Sequence, residues 1–213
     1  IAYYGTLRLG AIAVATNPLY HEHELEVQLR DSGAETLVAV DMFYPVISRA
    51  LPKTGVKRLV LCGIKDYLPF PLNLLYPIKA RIEKQWVRVK RVPPIYDFLS
   101  LLGKAQATPV STAVSPDDIA ILQYTGGTTG TPKGVMLSHD NLVWTAQALN
   151  GLIKNSAEDC GLSYLPLSHI AEQVVSLLLS LASGACVHFA ESLEKMPENL
   201  REVRPHLFLG VPR

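Results

Sequence analysis

The stretch Gln123-Tyr124-Thr125-Gly126-Gly127-Thr128-Thr129-Gly130-Thr131-Pro132-Lys133-Gly134 decides how the rest of the sequence is interpreted. Apolar, β-prone residues lie on both sides of it, at 119–122 and 135–137, so the pattern predicts a strand, a loop and a second strand. Glycines let backbone N–H groups approach a ligand closely, and hydroxyls with one ammonium suit a polyphosphate. A plain turn is the alternative, but turns favour Asn, Asp or Pro over repeated threonines. The loop is therefore predicted to hold phosphates.

Two other phosphate-binding motifs do not fit this loop. A Walker loop needs Gly-Lys followed by Ser or Thr at the start of a helix. Here Lys133 precedes Gly134, and an apolar strand follows. The dinucleotide fingerprint G-x-G-x-x-G fails because both its spacing and its helix are missing.

Composition indicates an ordinary globular protein. The chain has 213 residues, 48% of them hydrophobic and 18% charged, with a net charge of +1 that gives no sign of nucleic-acid binding. Its cysteines, Cys62, Cys160 and Cys186, are scattered, which favours reduced thiols in the cytoplasm over disulfides or a zinc site. No apolar run is long enough to span a bilayer. Since the sequence starts at Ile1 and stops at Arg213, we expect an internal piece of a longer protein.

Helix and strand signals alternate near both ends of the chain. Strands are predicted at 11–15, 36–40, 57–62, 162–165, 186–189 and 206–211, with helices between them. This alternation predicts an α/β fold with a parallel sheet covered on both faces. The predicted divisions are a partial α/β subdomain at 1–63, an insertion with its connector at 64–116, and an α/β subdomain carrying the loop at 117–213.

The insertion at 64–116 breaks this alternation. Its first part is aromatic, aliphatic and rich in proline, and its second part is basic, with Lys79, Arg81, Lys84, Arg88, Lys90 and Arg91. In one interpretation the apolar residues cover the core and the charges face water. In the other, residues 67–91 form a membrane-surface patch in which Trp86 and its apolar neighbours enter lipid, which would place the protein at the inner membrane surface. Residues 99–116 are predicted to be a polar connector.

The loop from Tyr124 to Gly134 resembles the signature loop of the adenylate-forming (AMP-binding) superfamily, Tyr-Thr-Ser-Gly-Thr-Thr-Gly-x-Pro-Lys-Gly, with Gly126 in place of Ser. Residues 10–18 resemble the upstream segment of that superfamily. The insertion's Leu-Pro-Phe-Pro and the closing residues 208–213 look most like bacterial long-chain fatty-acid–CoA ligases. The resemblance implies that the chain is part of the large N-terminal domain of an adenylate-forming enzyme.

His169 is the second candidate site residue. A lone histidine between a strand and a helix is by default a cap or a surface residue. However, open α/β sheets bind ligands at the carboxyl ends of strands. Residues Leu165–His169 also resemble the superfamily segment that lines the acyl pocket. Together these features predict His169 as a substrate-binding residue.

The resemblance further implies a two-step reaction. A fatty carboxylate attacks the α-phosphorus of ATP to give acyl-adenylate and pyrophosphate, and the thiol of coenzyme A then displaces AMP. It implies that the β- and γ-phosphates are held by Gly126, Gly127, Thr128, Thr129, Gly130 and Lys133, and that Thr125 helps to place Mg²⁺. The superfamily's adenine, ribose, hinge and late-lysine segments do not occur within these 213 residues, so the isolated chain is expected to be inactive.

Several alternatives stay open at this point. Within the superfamily, the protein could instead be an aryl- or medium-chain CoA ligase, or an enzyme that transfers the acyl group to a carrier protein. Outside it, the chain could be a phosphate-binding module without catalytic activity, or a segment that attaches to a membrane surface. Nothing in the sequence indicates a nucleic-acid partner.

Overall fold

The computed structural model describes residues 1–108, 110–125 and 132–210. The chain forms two compact units, one made of Ile1–Ala2 and Pro18–Ser111 and the other of Tyr3–Asn17 and Thr112–Arg213. Both units contain helices and strands, which confirms the predicted α/β class. The division at 1–63, 64–116 and 117–213 stays a prediction.

The elements are as follows in chain order. The strands are β1 (Ala13–Val14), β2 (Thr36–Val40), β3 (Arg58–Cys62), β4 (Ile95–Asp97), β5 (Ile119–Tyr124), β6 (Gly134–Ser138), β7 (Cys160–Ser163) and β8 (Cys186–Phe189). The α-helices are α1 (Ala2–Arg8), α2 (Glu22–Asp31), α3 (Tyr44–Ala50), α4 (Leu72–Ile82), α5 (Phe98–Lys104), α6 (His139–Ile153), α7 (Ile170–Glu172), α8 (Ser180–Ser183) and α9 (Met196–Val203). A π-helical segment, Gln173–Leu179, joins α7 to α8, and 3₁₀ turns occupy Asp41–Phe43, Leu51–Lys53 and Ile64–Tyr67.

A parallel three-stranded sheet, ordered β2-β3-β4, forms the centre of the first unit. Leu29 of α2 and Leu61 of β3 are almost fully buried, and Ile47 of α3 packs in the same cluster. Each such side chain contributes about 1.5–3 kcal/mol through removal of apolar surface from water. Helix α2 ends just before Gly33, which adopts the left-handed conformation with φ +64° that commonly follows a helix C-terminus.

The region after residue 64 is more regular than the sequence predicted. Strand β4 extends the sheet by pairing with β3, and α5 follows it directly, with Asp97 accepting a hydrogen bond of 2.8 Å from the backbone N–H of Ser100. The prediction of a polar connector at 99–116 was therefore wrong for its first six residues. A strand of three residues is too short to show an alternating pattern, and Pro93-Pro94 before it indicates a loop instead.

The basic part of this region makes two contacts that its sequence does not reveal. Trp86 is half-buried, and the guanidinium of Arg81 lies over its ring at 5.3 Å from the centroid. Arg91 pairs with Asp41 at 3.1 Å, and both side chains are about three-quarters covered. Burial raises the pKa of Asp41 despite this pairing. The structure therefore turns Trp86 and Arg91 towards the protein, where the membrane interpretation expected them to face lipid.

The second unit contains a mixed sheet ordered β1-β5-β6. Strand β1 is parallel to β5, and β6 returns antiparallel to it. Helix α6 follows β6, and Ser138, a residue type favoured at helix N-caps, caps it by accepting a hydrogen bond of 3.2 Å from the N–H of Asn141. Ala120, Ile121 and Leu142 form the buried centre of this packing.

A two-stranded parallel sheet, β7-β8, completes the second unit. The helical segment from α7 to α8 lies between these strands in sequence and ends at Gly184, which has φ +79°. The strand predicted at 206–211 is limited to a single bridge between Leu207 and Gly161 within the part of the chain that is described. Val211, the last residue of that predicted strand, lies outside the described residues.

Across residues 1–108, 110–125 and 132–210, none of the helices combines the length and the apolar character needed to cross a membrane.

Candidate functional site

The glycine- and threonine-rich loop is the connection of a β-hairpin. Strands β5 and β6 pair antiparallel up to the pair Tyr124–Gly134, where the loop leaves the sheet. This confirms the two strands predicted on either side of the stretch. Of the predicted phosphate-binding residues, Gly126, Gly127, Thr128, Thr129 and Gly130 lie outside the described residues. Thr125 and Lys133, at the two ends of the loop, can be examined directly.

Thr125 and Lys133 are tied to each other at the base of the loop. The backbone N–H of Thr125 donates to the carbonyl of Lys133 at 3.1 Å, and its hydroxyl lies 3.5 Å from the same oxygen. The second distance makes a weak hydrogen bond at most, so the hydroxyl oxygen keeps lone pairs for another partner. Both residues are exposed. Within the part of the chain that the structure describes, no carboxylate pairs with the Lys133 ammonium.

Tyr124, directly before the loop, and Gly134, directly after it, pack closely against each other. Tyr124 is 6% exposed, and its ring lies beside Gly134 on the neighbouring strand. A Cβ added to Gly134 would come within 3.1 Å of Tyr124 Cζ. A contact that short forces a displacement, so glycine at 134 is what lets the tyrosine ring close the base of the loop.

Thr125 is the residue on which the magnesium prediction depends. Mg²⁺ takes oxygen ligands and commonly keeps several waters and substrate phosphates in its shell. The exposed hydroxyl of Thr125 could be one ligand of such an ion, because most of the other Mg²⁺ ligands would be water and phosphate oxygens. Among the described residues, no cluster of three or more His, Cys, Asp or Glu side chains could hold a metal ion by itself. A resident metal centre therefore has no support in this part of the chain.

His169 lies immediately before α7 and caps it. Its Nδ1 accepts a hydrogen bond of 3.3 Å from the backbone N–H of Ala171. For this nitrogen, the structure therefore agrees with the default interpretation of His169 as a helix cap. The imidazole is exposed. Because Nδ1 is used by the cap, Nε2 on the opposite side of the ring is the atom that could contact a ligand. The substrate-binding role stays a prediction.

A buried chain of amides joins the hairpin to the segment that carries His169. Gln123, two residues before Thr125, donates from Nε2 to the carbonyl of Ser168 at 2.7 Å. Its Oε1 accepts from Nε2 of Gln173 at 2.8 Å, and the hydroxyl of Tyr3 donates to Oε1 of Gln173 at 3.1 Å. The two sites found separately in the sequence are thus connected by side-chain hydrogen bonds.

The sequence analysis missed these amide residues, although a signal was present. Gln123 directly follows the apolar run 119–122 in a strand that is buried along most of its length. Gln173 interrupts an apolar helical face and is fully buried. A buried polar side chain must find partners, so a glutamine in each of two apolar elements indicates that they bond to each other or to buried backbone.

Glu172 adds a second attachment to the same segment. Its side chain is 3% exposed, and Oε2 accepts a hydrogen bond of 3.3 Å from the backbone N–H of Leu165. Its Oε1 accepts from the hydroxyl of Ser176. The residues between β7 and α7 are therefore attached at Leu165 as well as at Ser168. His169 projects from a segment whose main chain is held at several points.

Comparison with known proteins agrees with this arrangement. The family model described as "AMP-binding enzyme" matches residues 1–213. A long-chain-fatty-acid–CoA ligase of Bacillus subtilis is 36% identical over 100% of the chain, and one of Haemophilus influenzae is 34% identical over 99%. The chain spans 39% of the length of each of these relatives.

Solved structures show the same relationship in three dimensions. A long-chain-fatty-acid-CoA ligase from Archaeoglobus fulgidus superposes with a TM-score of 0.76 at 29% identity, covering 99% of this chain and 37% of that one. The similarity therefore extends beyond the signature loop to the arrangement of strands and helices. With a family model matched from the first residue to the last, and with a hairpin of the expected form around the loop, the chain belongs to the AMP-binding enzyme family.

Proposed function

We propose that the protein containing this chain is a long-chain-fatty-acid–CoA ligase, which activates a fatty carboxylate with ATP and transfers the acyl group to coenzyme A. The observation that carries the proposal is the β5–β6 hairpin, which places Thr125 and Lys133 side by side at the base of the signature loop. Similarity to two ligases of that name, over 99–100% of this chain and 39% of each ligase, supports the choice of substrate.

The first step joins two anions, so it needs positive charge and hydrogen-bond donors. A fatty carboxylate oxygen attacks the α-phosphorus, the bond to the β-phosphate oxygen breaks, and pyrophosphate leaves with that electron pair. Lys133 is exposed and has no carboxylate partner in the described part of the chain, so its ammonium is free to meet the β- and γ-phosphates. Such charge-assisted hydrogen bonds stabilise the departing pyrophosphate.

The rest of the loop supplies the remaining donors in this proposal. We assign the other phosphate contacts to the backbone N–H groups and hydroxyls of Gly126, Gly127, Thr128, Thr129 and Gly130. Gly126 brings no hydroxyl, so its contribution is a backbone N–H. Mg²⁺, when bound with the triphosphate, would offset negative charge on it, and the hydroxyl of Thr125 is the group in this chain that would contact the ion.

In the second step the sulfur of coenzyme A attacks the acyl carbonyl carbon, and AMP leaves with its phosphate oxygen. We place the acyl chain near His169, because Nδ1 of its ring is used by the helix cap and Nε2 is the ring nitrogen left for a ligand. Since the chain spans about two fifths of the relatives' length, the residues that bind adenine and ribose are expected outside these 213 residues.

The experiment that tests this proposal is isotope exchange between ATP and labelled pyrophosphate. It is carried out on the natural protein that contains these residues, with oleate, benzoate or acetate as the acid. We expect exchange that depends on oleate, followed by AMP release when coenzyme A is added. Exchange with benzoate alone would indicate an aryl ligase. Exchange with oleate but no product from coenzyme A would indicate a carrier-protein acceptor.

We propose a peripheral membrane contact as a second property of this cytoplasmic protein, because one observation favours it. Helix α4 exposes Leu74, Ile78 and Ile82, which are spaced four residues apart and are 64%, 56% and 77% exposed. Phe70, just before the helix, is 79% exposed. Exposed cations follow at Arg88 and Lys90. An apolar helix face with nearby cations suits an anionic lipid surface.

A further inference from the structure

In the described part of the chain, two hydrogen-bonded amide side chains lie between the hairpin and the segment of His169, and their orientations can be worked out. The carbonyls of Ser168 and Tyr124 accept hydrogen bonds and donate none. Both lie within 3.2 Å of the same end of the Gln123 amide, which must therefore be Nε2. The other end of this amide, Oε1, then faces Gln173 and requires a donor.

The same reasoning fixes the next two groups. Gln173 must present Nε2 to Gln123, at 2.8 Å, and its Oε1 therefore faces the hydroxyl of Tyr3. Tyr3 must keep its proton in order to donate. Burial, with the neighbouring Tyr4, raises the pKa of Tyr3 to about 12, so the hydroxyl remains protonated throughout the physiological range. The chain of donors has one direction, from Tyr3 to the carbonyl of Ser168.

This chain is attached to both candidate sites. At one end Gln123 belongs to β5, and Thr125 follows it by two residues. At the other end Ser168 directly precedes His169, whose own carbonyl accepts the backbone N–H of Gln173 at 3.1 Å. Gln173 thus holds the segment through its backbone and, by way of Gln123, through its side chain. It begins the π-helical segment, a local departure from α-helix that occurs often at functional sites.

We infer that Gln123 and Gln173 are positioning residues, which set the placement of the His169 segment relative to the phosphate loop and so align the carboxylate with the α-phosphorus. This inference rests on the proposed function. Neither amide needs to touch a substrate. Two buried glutamines are costly unless they are fully bonded, and here their bonds connect the two segments that the reaction must bring together.

The test compares Gln123→Leu and Gln173→Leu with the unmodified protein. Each change keeps a side chain of similar volume that is suited to a buried position, and removes the amide group. We expect kcat for oleate-dependent pyrophosphate exchange to fall about 10- to 100-fold, because a displacement near 1 Å costs that much in an aligned reaction. KM for ATP should change little, since the groups that contact phosphate are intact. Gln28→Leu is the matched control: Gln28 is 1% exposed and lies in α2 of the other unit.

Gln173→Glu separates positioning from simple loss of stability. A protonated carboxyl group can donate to Gln123 and accept from Tyr3, whereas a carboxylate cannot donate. Activity relative to the unmodified protein should therefore rise as the pH falls, and Gln173→Leu should show no such rise. Tyr3→Phe removes only the first donor of the chain, farthest from Ser168, and should cause a smaller loss. Both variants keep the inference testable if the leucine variants fold poorly.

Hydrogen exchange of the backbone amides provides a readout without turnover. The N–H of His169 donates to the carbonyl of Pro166 at 2.8 Å, and that of Ala171 donates to the His169 ring. Both amides should exchange faster in the Gln123 and Gln173 variants and at an unchanged rate in Gln28→Leu. Unchanged exchange and unchanged kcat would overturn the inference. If the unmodified protein activates no fatty acid, the proposed function fails, and the exchange rates still decide whether the amides hold the segment.

Discussion

The ring of Tyr124 and the Cα of Gly134 lie so close together that a Cβ on the glycine would require the ring to shift by a few tenths of an ångström. They are direct partners across the β5–β6 pair, and a Cβ on Gly134 would approach Tyr124 to 3.1 Å. The buried tyrosine has little room to move away. This contact gives the glycine at the end of the signature loop a packing role in addition to any role towards phosphate.

Gly134→Ala should therefore destabilise the protein, by about 1–3 kcal/mol as is typical of overpacking. Gly151→Ala is the control, because a Cβ there meets nothing within 4 Å and the residue lies in α6, where alanine is favoured over glycine. Urea unfolding midpoints would measure both effects. If Gly134→Ala leaves the midpoint unchanged or raises it, the fit between ring and glycine is not tight in solution.

Lys133→Ala should impair the use of ATP. A charge-assisted hydrogen bond to phosphate contributes roughly 1.5–3 kcal/mol, so KM for ATP should rise and pyrophosphate exchange should slow, while fatty-acid binding is retained. Lys104→Ala, at another exposed lysine, should change neither quantity. Equal kinetics for the two variants would show that Lys133 is an ordinary surface lysine.

The membrane contact should depend on both α4 and the cations after it. Leu74→Ser with Ile78→Ser, or Arg88→Gln with Lys90→Gln, should release the protein from anionic liposomes, because each cation near the surface adds about 1 kcal/mol. Added salt should act like the second pair, since the attraction extends only about 8 Å at physiological ionic strength. Arg91 is left unchanged in this test because it pairs with Asp41.

Co-sedimentation at low and high salt measures this binding, with Lys104→Gln as the control. Trp86 emission is not expected to shift, since the ring already packs under Arg81. A protein that stays in the supernatant at low salt would favour the alternative interpretation, in which the insertion is a cover over the core. Loss of oleate activation in these variants would instead indicate damage to the fold.

Stability should fall at alkaline pH through Tyr3. Its pKa is raised by burial to about 12 in the folded protein and lies near about 10 in an unfolded chain. The stabilising contribution is therefore complete below pH 10 and is lost as the pH rises towards 12. Tyr3→Phe should flatten the decline of the urea midpoint over this window. An identical decline in both proteins would contradict the buried, donating hydroxyl.

Local signals explain which parts of the structure the sequence predicted well. The hairpin, α2 and the cap at Ser138 follow from short-range chemistry: apolar runs, the left-handed Gly33 and a serine before the first turn. Strand β4 was missed because three residues after two prolines carry no periodic signal. Its place is set by pairing with β3, a partner more than 30 residues away. Such pairing depends on tertiary packing, which local propensity does not predict.

The candidate site shows the same difference between features set by local sequence and features set by tertiary packing. The loop was recognisable because glycines, threonines and a lysine together indicate phosphate binding, and His169 was noticed because it lies between a predicted strand and a predicted helix. The amide chain was not predicted, since Tyr3, Gln123 and Gln173 lie up to 170 residues apart and meet only in the folded unit. The membrane interpretation expected Trp86 and Arg91 to face lipid, because composition describes charge and aromaticity but not which way a side chain turns.

The transfer of oxygen from the fatty acid to AMP tests the central claim most directly. Oleate labelled with ¹⁸O in its carboxylate is incubated with ATP, coenzyme A and the natural protein, and the AMP is analysed by mass spectrometry. Attack of the carboxylate on the α-phosphorus, followed by cleavage by the thiol, leaves one carboxylate oxygen on phosphorus. The account predicts AMP carrying one ¹⁸O atom. Label in inorganic phosphate, with ADP as the nucleotide product and unlabelled AMP, would contradict it.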